Sequence, residues 1–246
     1  MANDVVAAEL PKEMQSHHYP ILFQVEETHW WYVGRRRIIQ TLVEKIRATL
    51  NSSNPRILDV GCGTGANLKM LRSFGKADGV DISSQAVDFC HQRGLDSVRL
   101  GAAEELPYEN DSFDLVTALD VIEHLDDDVA GLREMRRVLR HDGRLLLFVP
   151  AFMFLWGVQD DVSHHRRRYT LPSLLRVVEE AGFSVEWSSY ANTSFFLPVL
   201  AVRSVMRWLG LRAETEYGIN ISVMNGLFAR LFAAERLILK NGSLPF

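Results

Sequence analysis

Only two of the 246 residues are cysteine, Cys62 and Cys90, and they form neither a CxxC pair nor any metal-ligand spacing. That excludes a disulfide framework and points to a reducing, cytoplasmic setting. The N-terminus, "MANDVVAAELPKEM", has acidic residues where a secretory signal would be basic. A bilayer-spanning run of about 20 apolar residues is also lacking. The nearest approach, "SFFLPVLAVRSVMRWLGL" at Ser194 to Leu211, is interrupted by Arg203 and Arg207 and reads as an amphipathic helix, so that peripheral contact with a membrane surface stays open. There is no basic excess either: the formal net charge is -4, which argues against nucleic acid as a main partner. Internal repeats and low-complexity linkers are missing as well.

What is present is a chain with 47% hydrophobic residues, enough for a sizeable core. The first fifty residues read as helical and aromatic-rich, with Ile38, Leu42, Ile46 and Leu50 on one helix face before "NSSNP" breaks it. From Arg56 strands and helices alternate. "RILDV", "KADGVDI", "DSVRL", "FDLVTAL" and "GRLLLFVP" are five strands, "SVEWSSY" is expected as a sixth after the helix "LPSLLRVVEEAGF", and two apolar helical stretches follow, Ser194 to Leu211 and Ile221 to Leu239. The order implies an α/β fold with a parallel, Rossmann-like sheet covered by helices on both faces, and ligands at the carboxyl ends of its strands. Three segments follow from this reading: an N-terminal helical lid (1–50), a cofactor-binding core (51–152), and an acceptor-binding loop with C-terminal helices (153–246).

The sharpest motif is "ILDVGCGTGANL". An apolar strand runs into Gly61, Gly63 and Gly65 and then into a helix, a loop that lets backbone approach a ligand closely. Asp59, just before the glycines, suits a ligand with a cationic end. Asp81, closing strand two, can accept both hydroxyls of a ribose. The glycine spacing by itself leaves a nicotinamide cofactor open.

With "GAAEELPYENDSFDLVTALDVIEHL" added, the segment from Arg56 to about Phe152 closely resembles the class I S-adenosylmethionine-dependent methyltransferases. The resemblance implies that S-adenosylmethionine is bound, with S-adenosylhomocysteine as product. Gly61, Gly63 and Gly65 would lie under its methionine part, with Asp59 near the amino group, Asp81 on the ribose and Ile82 against the adenine. Ala102, Ala103 and Glu104 would face the adenine edge, although Ala102 replaces an aspartate common in relatives. Leu119 and Asp120 would lie beside the sulfonium. Members of the family usually close the sheet with a last antiparallel strand after "LPFG", whereas this sequence stops at Phe246, so the expectation is a seven-stranded sheet whose last strand is either absent or lost to truncation.

"FLWGVQDDVSHHRRRYT" and "HWWYVGRRRII" resemble segments of a bacterial methyltransferase subgroup associated with glycosyltransferases and cell-envelope work. They imply a small polar or anionic acceptor, such as a sugar- or lipid-linked cell-envelope intermediate. His124, expected on the helix after strand four, His165 and Tyr169 are the candidate catalytic residues. Arg167 and Arg168 would clamp the acceptor, Trp31 would belong to a lid, and Arg35 would reach the cofactor. Gln159 stands where relatives carry histidine. A metal is not expected, because His164 and His165 are flanked by Arg166, Arg167 and Arg168. Glu123 reads as solvated or structural. The rival readings are an RNA or protein methyltransferase, a non-catalytic binding module and a nicotinamide enzyme. Oligomeric state is not legible.

Overall fold

The structure is a computed structural model and describes residues 15–209 and 222–245. Five strands form one parallel sheet, β1 (Arg56–Val60), β2 (Lys76–Asp81), β3 (Val98–Leu100), β4 (Phe113–Leu119) and β5 (Leu139–Phe148), in the order β3-β2-β1-β4-β5. The order reverses at β1, so a crevice opens where the carboxyl ends of β1 and β4 diverge. Ten helices accompany the sheet among the described residues: α1 (His18–Val25), α2 (Trp30–Arg47), α3 (Ala66–Leu71), α4 (Ser84–Gln92), α5 (Asp128–Val138), α6 (Val158–Val162), α7 (Leu171–Glu180), α8 (Thr193–Trp208), α9 (Ser222–Ala234) and α10 (Arg236–Leu239).

Burial explains the layering. Leu58, Val60, Val116 and Ala118 turn toward a core shared with Leu132, Met135 and Val178 of α5 and α7. Ile57 and Leu115 turn the other way, toward Ile38, Leu42, Leu68 and Phe232. The alternation is that of strands covered on both faces. On the second face α2 packs closely on α9 because residue 34 is glycine. A Cβ there would stand 2.8 Å from Cδ1 of Phe232. Of the expected α2 stripe, Ile38 and Leu42 are buried and Ile46 and Leu50 half-buried. Ile39 and Val43 join them, widening the face.

Three expectations about elements need correction. "SVEWSSY" does not form a strand. Val185 and Trp187 remain exposed, and the segment is tied instead to the chain's last residues. Trp187 Nε1 donates to the Gly242 carbonyl at 3.1 Å, and Tyr190 bridges antiparallel to Leu244. Without a ladder partner, alternating hydrophobicity does not make a strand, and the sheet has five strands among the described residues rather than six or seven. His124 does not lie on the helix after β4 but ends a 3-10 turn, Ile122–His124, that precedes α5. The apolar stretch from residue 221 to Leu239 is broken between α9 and α10. The break places the buried Glu235 carboxylate at the start of α8, where it accepts from Asn192 N (2.6 Å), Ser194 N (2.7 Å) and Ser194 Oγ (2.6 Å). A carboxylate there satisfies amides that the first helical turn cannot.

Candidate functional site

The glycine loop leaves β1 with positive φ at Gly61 (64°), Gly63 (54°) and Gly65 (89°), a backbone region that L side chains rarely adopt. Gly61 is held against Val121 and Gly65 against Leu95, each leaving 2.6 Å for a Cβ. Gly63 faces open space with nothing within 4 Å. Two of the glycines therefore fix the loop, and the third leaves room for a ligand.

Asp81, at the end of β2, is oriented by the loop itself: Oδ2 accepts from Gly63 N at 2.8 Å and Oδ1 from Ser83 N at 2.9 Å. The next residue, Ile82, is 40% exposed, an apolar face left open beside that carboxylate. Ala103, Glu104, Leu119 and Asp120 line the same cavity; Ala102 does not. Asp59 lies beneath the cavity rather than on its wall, 1% exposed, with Thr117 Oγ1 donating to it at 2.6 Å. Burial pushes its carboxyl up to about 7, against the pull of Thr117 and Arg35.

The N-terminal segment closes one side, through contacts that sequence reasoning missed. Glu26, following α1, accepts from Thr64 of the glycine loop and from Arg93 after α4. Arg93 also donates from Nε to the Thr64 carbonyl at 2.6 Å and from Nη2 to that of Phe23 at 3.1 Å. Arg35, 6% exposed, lies with its guanidinium 4.6 Å from the Phe148 ring centroid and its Nη2 2.8 Å from Asp120 Oδ2. Trp31 stacks on Phe232 at 5.1 Å, so much of its ring is committed to the α2–α9 packing although it still borders the cavity. His29 is the N-cap of α2, its Nδ1 accepting from Trp31 N at 3.3 Å.

The "SHHRRRYT" segment turns out differently from a clamp. Its arginines are consumed by carboxylates. Arg166 Nε donates to Asp126 (2.8 Å), Arg167 Nη1 to Asp128 (3.0 Å), and Arg168 holds both oxygens of Asp160 (2.7 and 2.9 Å). Arg167 is not on the cavity wall; Arg168 is, with its donors engaged. The Tyr169 hydroxyl is buried, donating to Asp128 Oδ2 at 2.7 Å, and burial together with that carboxylate raises its pKa far above the ordinary phenol value. It does not have the character of a general base.

His165 Nδ1 meets Asp160 Oδ1 at 2.8 Å, and its ring stands edge-on to His124 with centroids 4.7 Å apart. Burial, then His165, depress His124 to about 3, which keeps it neutral. Burial would raise Asp160, but the bonds from His165 and Arg168 outweigh it and hold it at about 2. Glu123 is not solvated: it is fully buried, and burial reinforced by Asp120 holds its carboxyl well above the usual range. Ligand atoms of Glu123, His124 and His165 fall within 4.8 Å of one another. The objection that three arginines would repel a cation loses its force, since each is paired with its own aspartate.

The cavity occupies roughly 1760 Å³. It runs from the glycine loop past Asp120 and His124 to a wall made by Phe195, Phe196, Val199 and Val202 of α8. The five-stranded parallel sheet, with a glycine loop at its switch point and a ribose-type carboxylate one strand over, has the Rossmann-like architecture of the methyltransferase fold.

Residues 58–147 match the family described as Methyltransferase domain. The chain is 32% identical over 160 residues to "Uncharacterized methyltransferase YcgJ" of Bacillus subtilis (strain 168), covering 62% of this chain and 60% of that protein. It is 30% identical over 137 residues to a ubiquinone biosynthesis O-methyltransferase of Xanthomonas oryzae pv. oryzae, covering 51% of this chain and 57% of the relative. Other curated relatives are matched over 37% and 47% of their length, so the chain spans about half of the proteins it resembles. Among solved structures, a chain of the complex between the Haloferax volcanii Trm112 methyltransferase activator and a methyltransferase superposes with a TM-score of 0.58 at 20% identity, over 72% of this chain and 78% of that one. The [4+2]-cyclase SpnF superposes at 0.51 and 24% identity, over 82% and 76%. At such identities the superpositions speak for the fold, and SpnF illustrates that this fold also serves other chemistry.

Proposed function

We propose that the protein transfers a methyl group from S-adenosylmethionine to an oxygen of an acceptor that joins a polar head to a long apolar portion, such as a lipid-linked intermediate. The single supporting observation is the cavity. Ligand pockets commonly run about 300–1,000 Å³, and one of roughly 1760 Å³ has room for a nucleoside cofactor and a second sizeable molecule. Its far wall, on α8, is aromatic and aliphatic.

Bound against the glycine loop, S-adenosylmethionine supplies an electrophilic methyl group. The open space at Gly63, the two-point hold on Asp81 and the bare face of Ile82 fit its amino-acid, ribose and adenine parts in that order. The chain's own task is to hold the acceptor oxygen in line and exclude water, since a displacement of this kind gains most from position. The oxygen forms the new bond to the methyl carbon, the carbon–sulfur pair stays on sulfur, and the acceptor's proton leaves the oxygen. That proton is released to solvent, because His124, held at about 3 by burial and by His165, is too weak a base to keep it. The apolar side chains left exposed on the C-terminal helices, among them Leu197, Val205 and Trp208, suit work at a membrane surface. No described helix is long and apolar enough to cross a membrane.

The test has two parts. Titration with S-adenosylhomocysteine, with NAD as control, establishes the cofactor, and binding should be lost in Asp81→Ala. Labelled methyl transfer is then measured to hydroxylated acceptors with and without an isoprenoid tail. Higher kcat/KM for the tailed members is the expected result; equal rates would count against the lipid-linked reading.

A further inference from the structure

We propose that Glu123, His124 and His165 form a divalent transition-metal site on the cavity wall, open toward the acceptor. Glu123 is the strongest single sign. Its side chain is 0% exposed, and neither carboxylate oxygen has a hydrogen-bond partner. A buried carboxylate left without donors is costly, and in native proteins such groups are paired or bind metal. Nδ1 of His124, next in the chain, is also buried without a partner. Nε2 of His165 points into the same space, 3.9 Å from Glu123 Oε1. Three ligand atoms from three side chains thus converge within 4.8 Å. Bonds of about 2.0–2.1 Å to nitrogen and oxygen would draw such atoms to roughly 3.3 Å apart, a movement of side-chain torsions rather than of backbone.

The surroundings have the form of a metal site's outer layer. Metal-binding histidines are commonly fixed by a carboxylate on the second ring nitrogen. Asp160 does this for His165 at 2.8 Å, and is itself gripped by both arms of Arg168 and by Gly157 N at 2.7 Å. That arrangement gives "DDVSHHRRR" a purpose the clamp reading lacked, which is to aim one imidazole. Two imidazoles and one carboxylate suit zinc or a neighbouring first-row ion rather than magnesium or calcium. His124 and His165 both line the cavity, so the vacant coordination positions face the acceptor. This part rests on the proposed methyl transfer: an acceptor oxygen completing the coordination would be held in place and made more acidic.

The experiment uses the whole chain, stripped with a chelator and titrated with Zn²⁺ against a competing chromophoric chelator, then with Co²⁺. One Zn²⁺ per chain is expected, together with Co²⁺ absorption bands of nitrogen and oxygen ligation and Zn²⁺-induced shifts of the His124 and His165 imidazole resonances. Glu123→Gln and His165→Gln should lose at least about tenfold in affinity, and Asp160→Asn about 10–100-fold, as for outer partners elsewhere. No binding by the wild type, binding unchanged in these variants, or imidazole resonances that do not move would overturn the site. S-adenosylhomocysteine is titrated into the same samples. If it binds while metal does not, the metal site fails and the methyl-transfer reading stands; the reverse result fails the methyl-transfer reading alone.

Discussion

Nη2 of Arg35 stands 2.8 Å from Oδ2 of Asp120, joining the helix that precedes the sheet to the residue that follows β4. Asp120 carries a positive φ of 61°, an unusual conformation for a non-glycine residue, and its N–H donates to Phe148 O at 2.8 Å. The pair pins that strained backbone at the point where cofactor and acceptor should meet. Arg35→Met leaves Asp120, whose side chain is 36% exposed and can turn to water, so stability should fall by about 0.5–1.5 kcal/mol, and S-adenosylhomocysteine binding should weaken. A urea midpoint equal to the wild type's would contradict this.

Asp59 predicts a pH dependence. Its folded value of about 7 lies above the ordinary 3.8, so between those values the folded state holds a proton that the unfolded state has lost. Stability should fall as pH rises from about 4 to 7. Affinity for a ligand with a cationic amino group should move the other way, rising through pH 7 as Asp59 ionises. Calorimetric titration at stepped pH checks the second trend, and Asp59→Asn should flatten both.

The glycines separate folding from binding. Gly61→Ala would put a Cβ 2.6 Å from Val121 Cγ2 on top of an unfavourable φ, and should be less stable than Gly63→Ala, which meets nothing. Gly63→Ala should cost only about 1–2 kcal/mol for its left-handed backbone, yet abolish S-adenosylhomocysteine binding because its methyl enters the ligand's space. Melting curves and titrations on the two variants decide it; a Gly63→Ala protein that binds normally would move the ligand elsewhere.

Tyr169→Phe removes a hydroxyl committed to Asp128. Stability should drop by about 0.5–1.5 kcal/mol, while the pH profile of kcat keeps its shape. A lost basic limb would restore Tyr169 as a proton acceptor.

Legibility in the sequence followed the range of the interactions. β1 to β5 and the glycine loop could be read because period, apolar runs and turn chemistry are local. Gly61, Gly63, Gly65 and Asp81 sit in one continuous βαβ unit, so their meeting was implied by the fold. The pairing of Arg168 with Asp160, eight residues away, was legible, but the fate of Arg166 and Arg167 depended on Asp126 and Asp128, carboxylates whose positions relative to them only the fold sets. Arg167 therefore looked free when it is not. Glu123 looked solvated for a related reason: a charged residue beside a histidine gives no local sign of being fully enclosed. "SVEWSSY" had a strand's pattern, but pairing is a property of a neighbour. The Glu26–Arg93–Thr64 tie spans 67 residues of chain between its charged partners and had no local signal at all.

Glu235 has a consequence for how such a protein can diversify. One carboxylate, at the break between α9 and α10, anchors the start of α8, while Phe195, Phe196, Val199 and Val202 of that helix line the cavity. The anchor engages the amides of Asn192 and Ser194 and the Ser194 hydroxyl, and none of the wall side chains. Phe195 also packs on Trp30, with ring centroids 4.8 Å apart, but Val199 and Val202 can be exchanged without loosening the mooring or disturbing the glycine loop. On the proposed reading, part of the acceptor preference would lie in side chains of α8, which descendants of this scaffold can change while the glycine loop stays as it is.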